Sequence, residues 1–145
     1  MSAICCKVQR RSTDKDLAAH FTIIGKYGIV LFGEEISGIF APVPRAAYID
    51  SIWFDVENAG KDIVSNPMYM TLNLCRVLAY LQDDLILSKQ AGGAWALSTL
   101  PQKFHALVQN ALRCYGSDEE MVADAAETLE FAEYILTQIN ERNGI

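Results

Sequence analysis

Two cations carry the chemistry that this sequence can do. Arg76 sits inside the apolar run NPMYMTLNLCRVLAYL, and Lys89 follows thirteen residues later, opening KQAGGAWALSTL. Taking a cation out of water is costly unless an anion or a strong hydrogen-bond acceptor meets it. One cation on a helix and a second at the start of the next helix suit a polyphosphate. The alternative open from the residues alone is an Arg76 paired with a helix carboxylate and a Lys89 that is only solvated.

Other reactive side chains form no recognisable constellation. His20 and His105 have no Cys or acid at metal-ligand spacing; His20 is expected among apolar helix neighbours and His105 at the surface. Cys5 and Cys6 are adjacent and lack zinc spacing. Cys75 and Cys114 fall in helical patterns, where a thiol is a small core residue. The four Cys make no disulfide framework, and a reducing cytoplasm is the simplest setting. Asp83 and Asp84 are neighbours rather than alternating carboxylates. Read without further context, Tyr115 is the last core residue before Gly116. Asp16, like Asp14, is a helix cap, and surface acids such as Glu57 and Asp62 are solvated.

The elements that hold these residues read as helices. A first helix runs through LAAHFTIIGK to about Lys26, and Tyr27-Gly28 ends it, Gly28 taking a left-handed turn. Ile29 to Phe32 reads as one short strand or extended segment. After FAPVPR, Pro44 opens a helix to about Gly60 with Tyr48, Ile49, Ile52, Trp53 and Val56 on one face. Pro67 starts a helix to about Gln82 that is apolar nearly all round and therefore central. Ser88 caps a helix from Lys89 to about Thr99. Pro101 opens the next, with Phe104, Leu107, Val108, Ala111, Leu112 and Tyr115 as its apolar set. Ser117 and Glu120 have capping-box spacing for a last helix from Asp118 to about Arg142. Its apolar set is Val122, Ala125, Leu129, Ala132, Leu136 and Ile139. The fold class is all-α, an antiparallel bundle of five to six helices with that one short extended segment near the N-terminus. Residues 1–145 form a single domain, with 1–15 poorly ordered.

Bulk properties agree with a globular chain. Its 145 residues suffice for one sizeable core, and 51% are apolar against 21% charged. No apolar run is long enough for a membrane span, and the first residues have no signal-peptide core. Net charge is −6, yet the residues from Ser117 onward hold eight of the eighteen acids and one of the twelve bases. The rest is near neutral. An acidic tail argues against nucleic acid as a partner and leaves room for a local phosphate site.

NLCRVLAYL, LSK, the Gly92-Gly93 pair, Trp95-Ala96-Leu97 and Leu100-Pro101 resemble the C-terminal domain of the aminoglycoside nucleotidyltransferases. These are the streptomycin and spectinomycin adenylyltransferases, and the likeness covers residues 4 to about 140. It implies that Arg76 and Lys89 hold the ATP phosphates and that Tyr115 lines the nucleotide side of the cleft. DKDLAAHFTIIGKYGIVLFG is similar to the family's interdomain helix, which implies a place near the active centre for Asp16. Where the family handles streptomycin with an aromatic residue and two carboxylates, this chain has Glu57, Asp62 and Asn66. The aromatic is missing and one acid is an amide, which leaves spectinomycin or another drug open. The family takes its Mg²⁺ carboxylates and catalytic base from an N-terminal domain marked by Gly-Ser followed by Asp-x-Asp. This sequence lacks that pattern.

The resemblance implies the helical half of an adenylyltransferase, catalytically incomplete alone, a truncation, a gene remnant or an excised domain. ATP and Mg²⁺ serve the complete enzyme, an aminoglycoside or aminocyclitol drug is the other substrate, and a homodimer is the expected assembly. The alternative is a non-enzymatic helical module that dimerises or binds a partner. A helical ribonuclease of the toxin type would need an Arg four to six residues before a His, and neither His20 nor His105 has one.

Overall fold

The structure, a computed structural model, describes residues 14–117 and 119–143. The fold is all-α, and no strand occurs among these residues. No helix among them is long and apolar enough to cross a membrane. By backbone contacts the chain divides into two compact units, one up to Ser51 and one from Ile52 onward. Residues 1–13, with Cys5 and Cys6 and nearly all of the segment expected to be poorly ordered, lie outside the described residues.

The first unit contains α1 (Asp16–Tyr27), α2 (Ile36–Ile39) and most of α3 (Arg45–Phe54). Asp16 does not cap α1. Asp14 Oδ1 accepts the Asp16 N–H at 3.2 Å, and the Asp16 carboxylate turns instead to His20. Gly28 ends α1 as expected, but with φ −65° and ψ 147° it is extended, not left-handed. It has room for no side chain, because a Cβ there would stand 2.4 Å from the Ile24 carbonyl oxygen. The rings of Phe21 and Phe40 pack tilted at 5.1 Å, and the Ala19 N–H donates to buried Ser51 Oγ at 3.2 Å. Yet α1 buries none of its residues. Residues 28–30 are irregular and 31–34 bend, so Ile29 to Phe32 is not a strand. A lone extended run has no neighbouring ladder to hold it. Ile29, Leu31 and Phe32 are 84%, 95% and 100% exposed.

The helix expected to reach Gly60 ends at Phe54. The N–H groups of Val56 and Glu57 both donate to the Trp53 carbonyl, which tightens the last turn and stops it. A single turn, α4 (Ala59–Asp62), follows.

The second unit is built on α5 (Pro67–Asp83), which packs against α6 (Lys89–Thr99), α7 (His105–Tyr115) and α8 (Ala125–Asn143). Its all-round apolar sequence explains the central place: Leu72, Leu74, Cys75 and Ala79 are fully buried. Asp84 ends α5 in the left-handed region at φ 58°, a conformation that Asp tolerates better than most residues. Ser88 caps α6 as expected, its Oγ accepting the Ala91 N–H at 3.1 Å. After Pro101 a 3-10 turn, Gln102–Phe104, leads into α7. Phe104 meets Phe131 edge-on at 5.3 Å.

The last helix corrects the expected boundary. Asp118 lies outside the described residues, but residues 119–124 are not helical and α8 starts at Ala125. Ser117 Oγ donates to the Arg113 carbonyl rather than joining a box with Glu120. Asp124 caps instead, one carboxylate oxygen accepting the N–H groups of Ala126 and Glu127 at 2.9 and 3.0 Å. A carboxylate facing two free N–H groups at the positive helix end is the stronger cap. The buried face is therefore Thr128, Phe131, Ala132, Ile135 and Ile139, while Val122 is 85% exposed.

Candidate functional site

The second unit places Arg76 on α5 against the first turns of α6. Arg76 Nε donates to the Leu87 carbonyl at 2.7 Å, and Nη1 donates to Asn73 Oδ1 at 3.2 Å. Two of five guanidinium N–H donors are thus used, both on neutral acceptors. No carboxylate among the described residues forms an ion pair with Arg76. Among the described residues the helix-carboxylate partner that would have made Arg76 a structural residue is absent.

Lys89 opens α6 beside it. Its Nζ stands 4.5 Å from the centre of the Tyr69 ring, on the first turn of α5. Partial burial holds the Lys89 pKa below its usual range. The Arg76 guanidinium lowers it further, and Asp55 pulls the other way. The two positive charges are therefore near enough to oppose each other, with Asp55 offsetting part of that repulsion. An anion set between them would be attracted by both. The unused Arg76 donors are a fork suited to phosphate oxygens, and the ammonium is a compact point charge.

Tyr115 closes α7 and is 46% exposed, which corrects its place as a core residue; Cys114 is the buried one. It lines a cleft of about 260 Å³ with Gln90, Ala94, Leu112 and Gly116. Gln90 follows Lys89 directly, so α6 contributes to both the cleft and the cation pair.

Asp16 lies in the first unit, its Oδ2 2.9 Å from His20 Nε2. His20 therefore has an acid partner one helical turn away, which its apolar neighbours concealed, and it is exposed. His105 is half-buried and its Nε2 is bonded to the Leu100 carbonyl at 2.9 Å. Glu57, Asp62 and Asn66 are exposed on the connection before α5, and their side chains make no hydrogen bond to described residues. Asn66 occupies the N-cap position of α5 without a side-chain bond.

Among the described residues no three His, Cys, Asp or Glu side chains stand together as metal ligands. Sequence reasoning missed Asn73, Tyr69 and Asp55. Asn73 and Tyr69 precede Arg76 by three and seven residues, one and two turns along the same helix face. That spacing was a usable signal. Asp55 gave none, because only the turn after α3 brings it near Lys89.

The profile of the family described as "Aminoglycoside adenylyltransferase, C-terminal domain" matches residues 38–138. The chain is similar to an "Aminoglycoside (3'') (9) adenylyltransferase" of Klebsiella pneumoniae, 25% identical over 134 residues. A protein of the same description from Escherichia coli is 25% identical over 135 residues. The matches cover 90% of this chain and 51% of each relative, so the chain spans about half the length of the curated relatives it matches.

Proposed function

The chain belongs to the family of aminoglycoside adenylyltransferase C-terminal domains, and on that premise we propose that it is the helical half of such an enzyme, with Arg76 and Lys89 on the ATP phosphates. The observation that carries this is the cation pair: a guanidinium without a carboxylate and an ammonium pushed down by burial and by its neighbour. In the complete reaction a drug hydroxyl oxygen attacks the α-phosphorus of ATP. The hydroxyl proton passes to the base that the family carries on its N-terminal domain, the new P–O bond forms, the bond from the α-phosphorus to the oxygen bridging to the β-phosphorus breaks, and pyrophosphate leaves. Arg76 and Lys89 bind the phosphates and offset the charge that gathers on the leaving pyrophosphate. Tyr115 lines the nucleotide side, and Asp16 adjoins the active centre. Glu57 and Asp62 face an ammonium of a cationic sugar, with Asn66 beside them, and the drug is of the spectinomycin or streptomycin type.

The chain alone does not catalyse in this reading, because its sequence has no Gly-Ser followed by Asp-x-Asp, the family's marker for the magnesium carboxylates. Two tests follow. The purified chain with ATP, Mg²⁺ and either drug should release no drug-dependent pyrophosphate, and release above background would overturn the incomplete-enzyme reading. Two cations without metal should hold ATP or pyrophosphate only in the millimolar range, roughly −4 kcal/mol. Arg76→Ala, Lys89→Ala and added salt should each weaken that binding, and unchanged affinity in both variants would overturn the phosphate assignment.

A second reading rests on a different observation. Ile29, Leu31 and Phe32 present apolar side chains that are 84% or more exposed. Contiguous apolar surface drives association, and a twofold dimer is the commonest closed form. In this reading the chain is a cytoplasmic homodimer or interaction module. Sedimentation at micromolar concentration tests it. A 16.1 kDa species at every concentration would remove the case for self-association.

A further inference from the structure

The geometry points to Gly92 as the positioning residue of the Arg76 guanidinium, a bare α-carbon on which the arginine stem lies so that its head can face an anion. The inference rests on the reading of Arg76 as a phosphate ligand.

Gly92 is buried, the fourth residue of α6. A Cβ built there would stand 2.6 Å from Arg76 Cγ, and 3.4 and 3.5 Å from the Arg76 backbone N and Cα. The last two are ordinary contacts and the first is a collision. Cγ is not the free end of a flexible chain. Moving it turns the side chain near its root and carries Nε away from the Leu87 carbonyl, to which it donates at 2.7 Å. That carbonyl cannot follow easily. Ser88 comes next and is held by its own cap bond to Ala91 and by the Gly92 N–H, which donates to the Ser88 carbonyl at 2.8 Å. The guanidinium thus rests on three points: the stem on Gly92, Nε on Leu87 and Nη1 on Asn73.

Glycine weakens a helix interior through backbone entropy, so two in succession within the eleven residues of α6 need a cause. The pair divides the work. A Cβ at Gly93 would meet Leu112 Cδ2 at 2.5 Å, a contact between α6 and α7 in which Arg76 has no part. Gly93 serves packing, and Gly92 serves the cation.

This difference supplies the control. The 145-residue chain is prepared as wild type, Gly92→Ala, Gly93→Ala and Arg76→Ala. NMR then follows the Arg76 Nε–H resonance and a titration with inorganic pyrophosphate. Gly92→Ala should displace or lose the Nε–H signal and weaken pyrophosphate about tenfold, the worth of one charge-assisted hydrogen bond, to the level of Arg76→Ala. Gly93→Ala should lower the melting temperature and leave both readouts as in wild type. A Gly92→Ala chain with an unmoved Nε–H signal and full affinity would overturn the assignment, and so would a Gly93→Ala chain equally impaired in both. If the wild type takes up no pyrophosphate, the phosphate reading fails, and the Nε–H comparison still decides the role of Gly92. If Gly92→Ala does not fold, the double variant Gly92→Ala with Arg76→Ala decides. Removing Cγ should restore folding to that of Arg76→Ala alone, whereas a double variant just as unfolded would place the conflict in the backbone and overturn the inference.

Discussion

Arg76 and Lys89 stand where two helices close on each other, whereas Glu57, Asp62 and Asn66 stand where the chain passes over its surface. The first pair is fixed by a carbonyl, an amide, an aromatic ring and a glycine contact, and is held against its own repulsion. The side chains of the second set are exposed and make no hydrogen bond to the described residues. Holding like charges together costs energy, which Asp55 offsets in part and a bound anion would offset further. Exposed acids cost little and say little.

The difference breaks most visibly if the corner is not rooted in the core. Leu74 is fully buried on α5, two residues before Arg76. Leu74→Ala should cost about 2–5 kcal/mol of stability in denaturant unfolding, and the pyrophosphate site should be lost with the fold as it melts. A cost below about 1 kcal/mol would mean that the corner stands on loose packing.

The next contrast is in binding. Arg76→Ala and Lys89→Ala should each raise the pyrophosphate Kd about tenfold, roughly 1.4 kcal/mol. Glu57→Gln and Asp62→Asn should change it by no more than about twofold, since exposed, screened charges contribute little. Equal losses in the two sets would erase the distinction.

Proton linkage sharpens it further. The Lys89 ammonium is less basic in the folded chain than its ordinary 10.5. In the window between the lowered value and 10.5 the unfolded chain still holds a proton that the folded chain has released. Stability therefore gains from Lys89 as pH rises through that window, and anion affinity falls through it. Both trends should vanish from the comparison with Lys89→Gln. A pyrophosphate affinity that is flat up to pH 10.5 in the wild type would contradict the charge assigned to Lys89.

The smallest effect is the most telling about cause. Lys89→Gln removes the repulsion with Arg76 and should leave the melting temperature unchanged or higher, while Glu57→Ala should stay within about 0.5 kcal/mol of wild type. A clear loss of stability in Lys89→Gln would recast Lys89 as a structural residue.

Much of this corner was legible in the sequence. Arg76 in an apolar run, the Ser88 cap and Lys89 at the opening of α6 follow from local pattern, and the central place of α5 follows from its all-round apolarity. The glycine pair was visible but silent, because only the crossing of α5 and α6 tells which atom each glycine faces. The start of α8 was misread because Ser117 and Glu120 have capping-box spacing, while Asp124, seven residues on, binds two N–H groups. Local spacing proposes caps, and the chain takes the one its tertiary course allows. Ile29 to Phe32 has the composition of a strand, but the described residues offer it no ladder.

The most direct test is a pyrophosphate titration of the wild-type chain followed at the Arg76 Nε–H and at the amides of Lys89 to Gly92. The account predicts one saturable site of millimolar Kd whose shifts centre on these groups and weaken with salt. Shifts scattered over the surface, with none at Arg76 or Lys89, would contradict it.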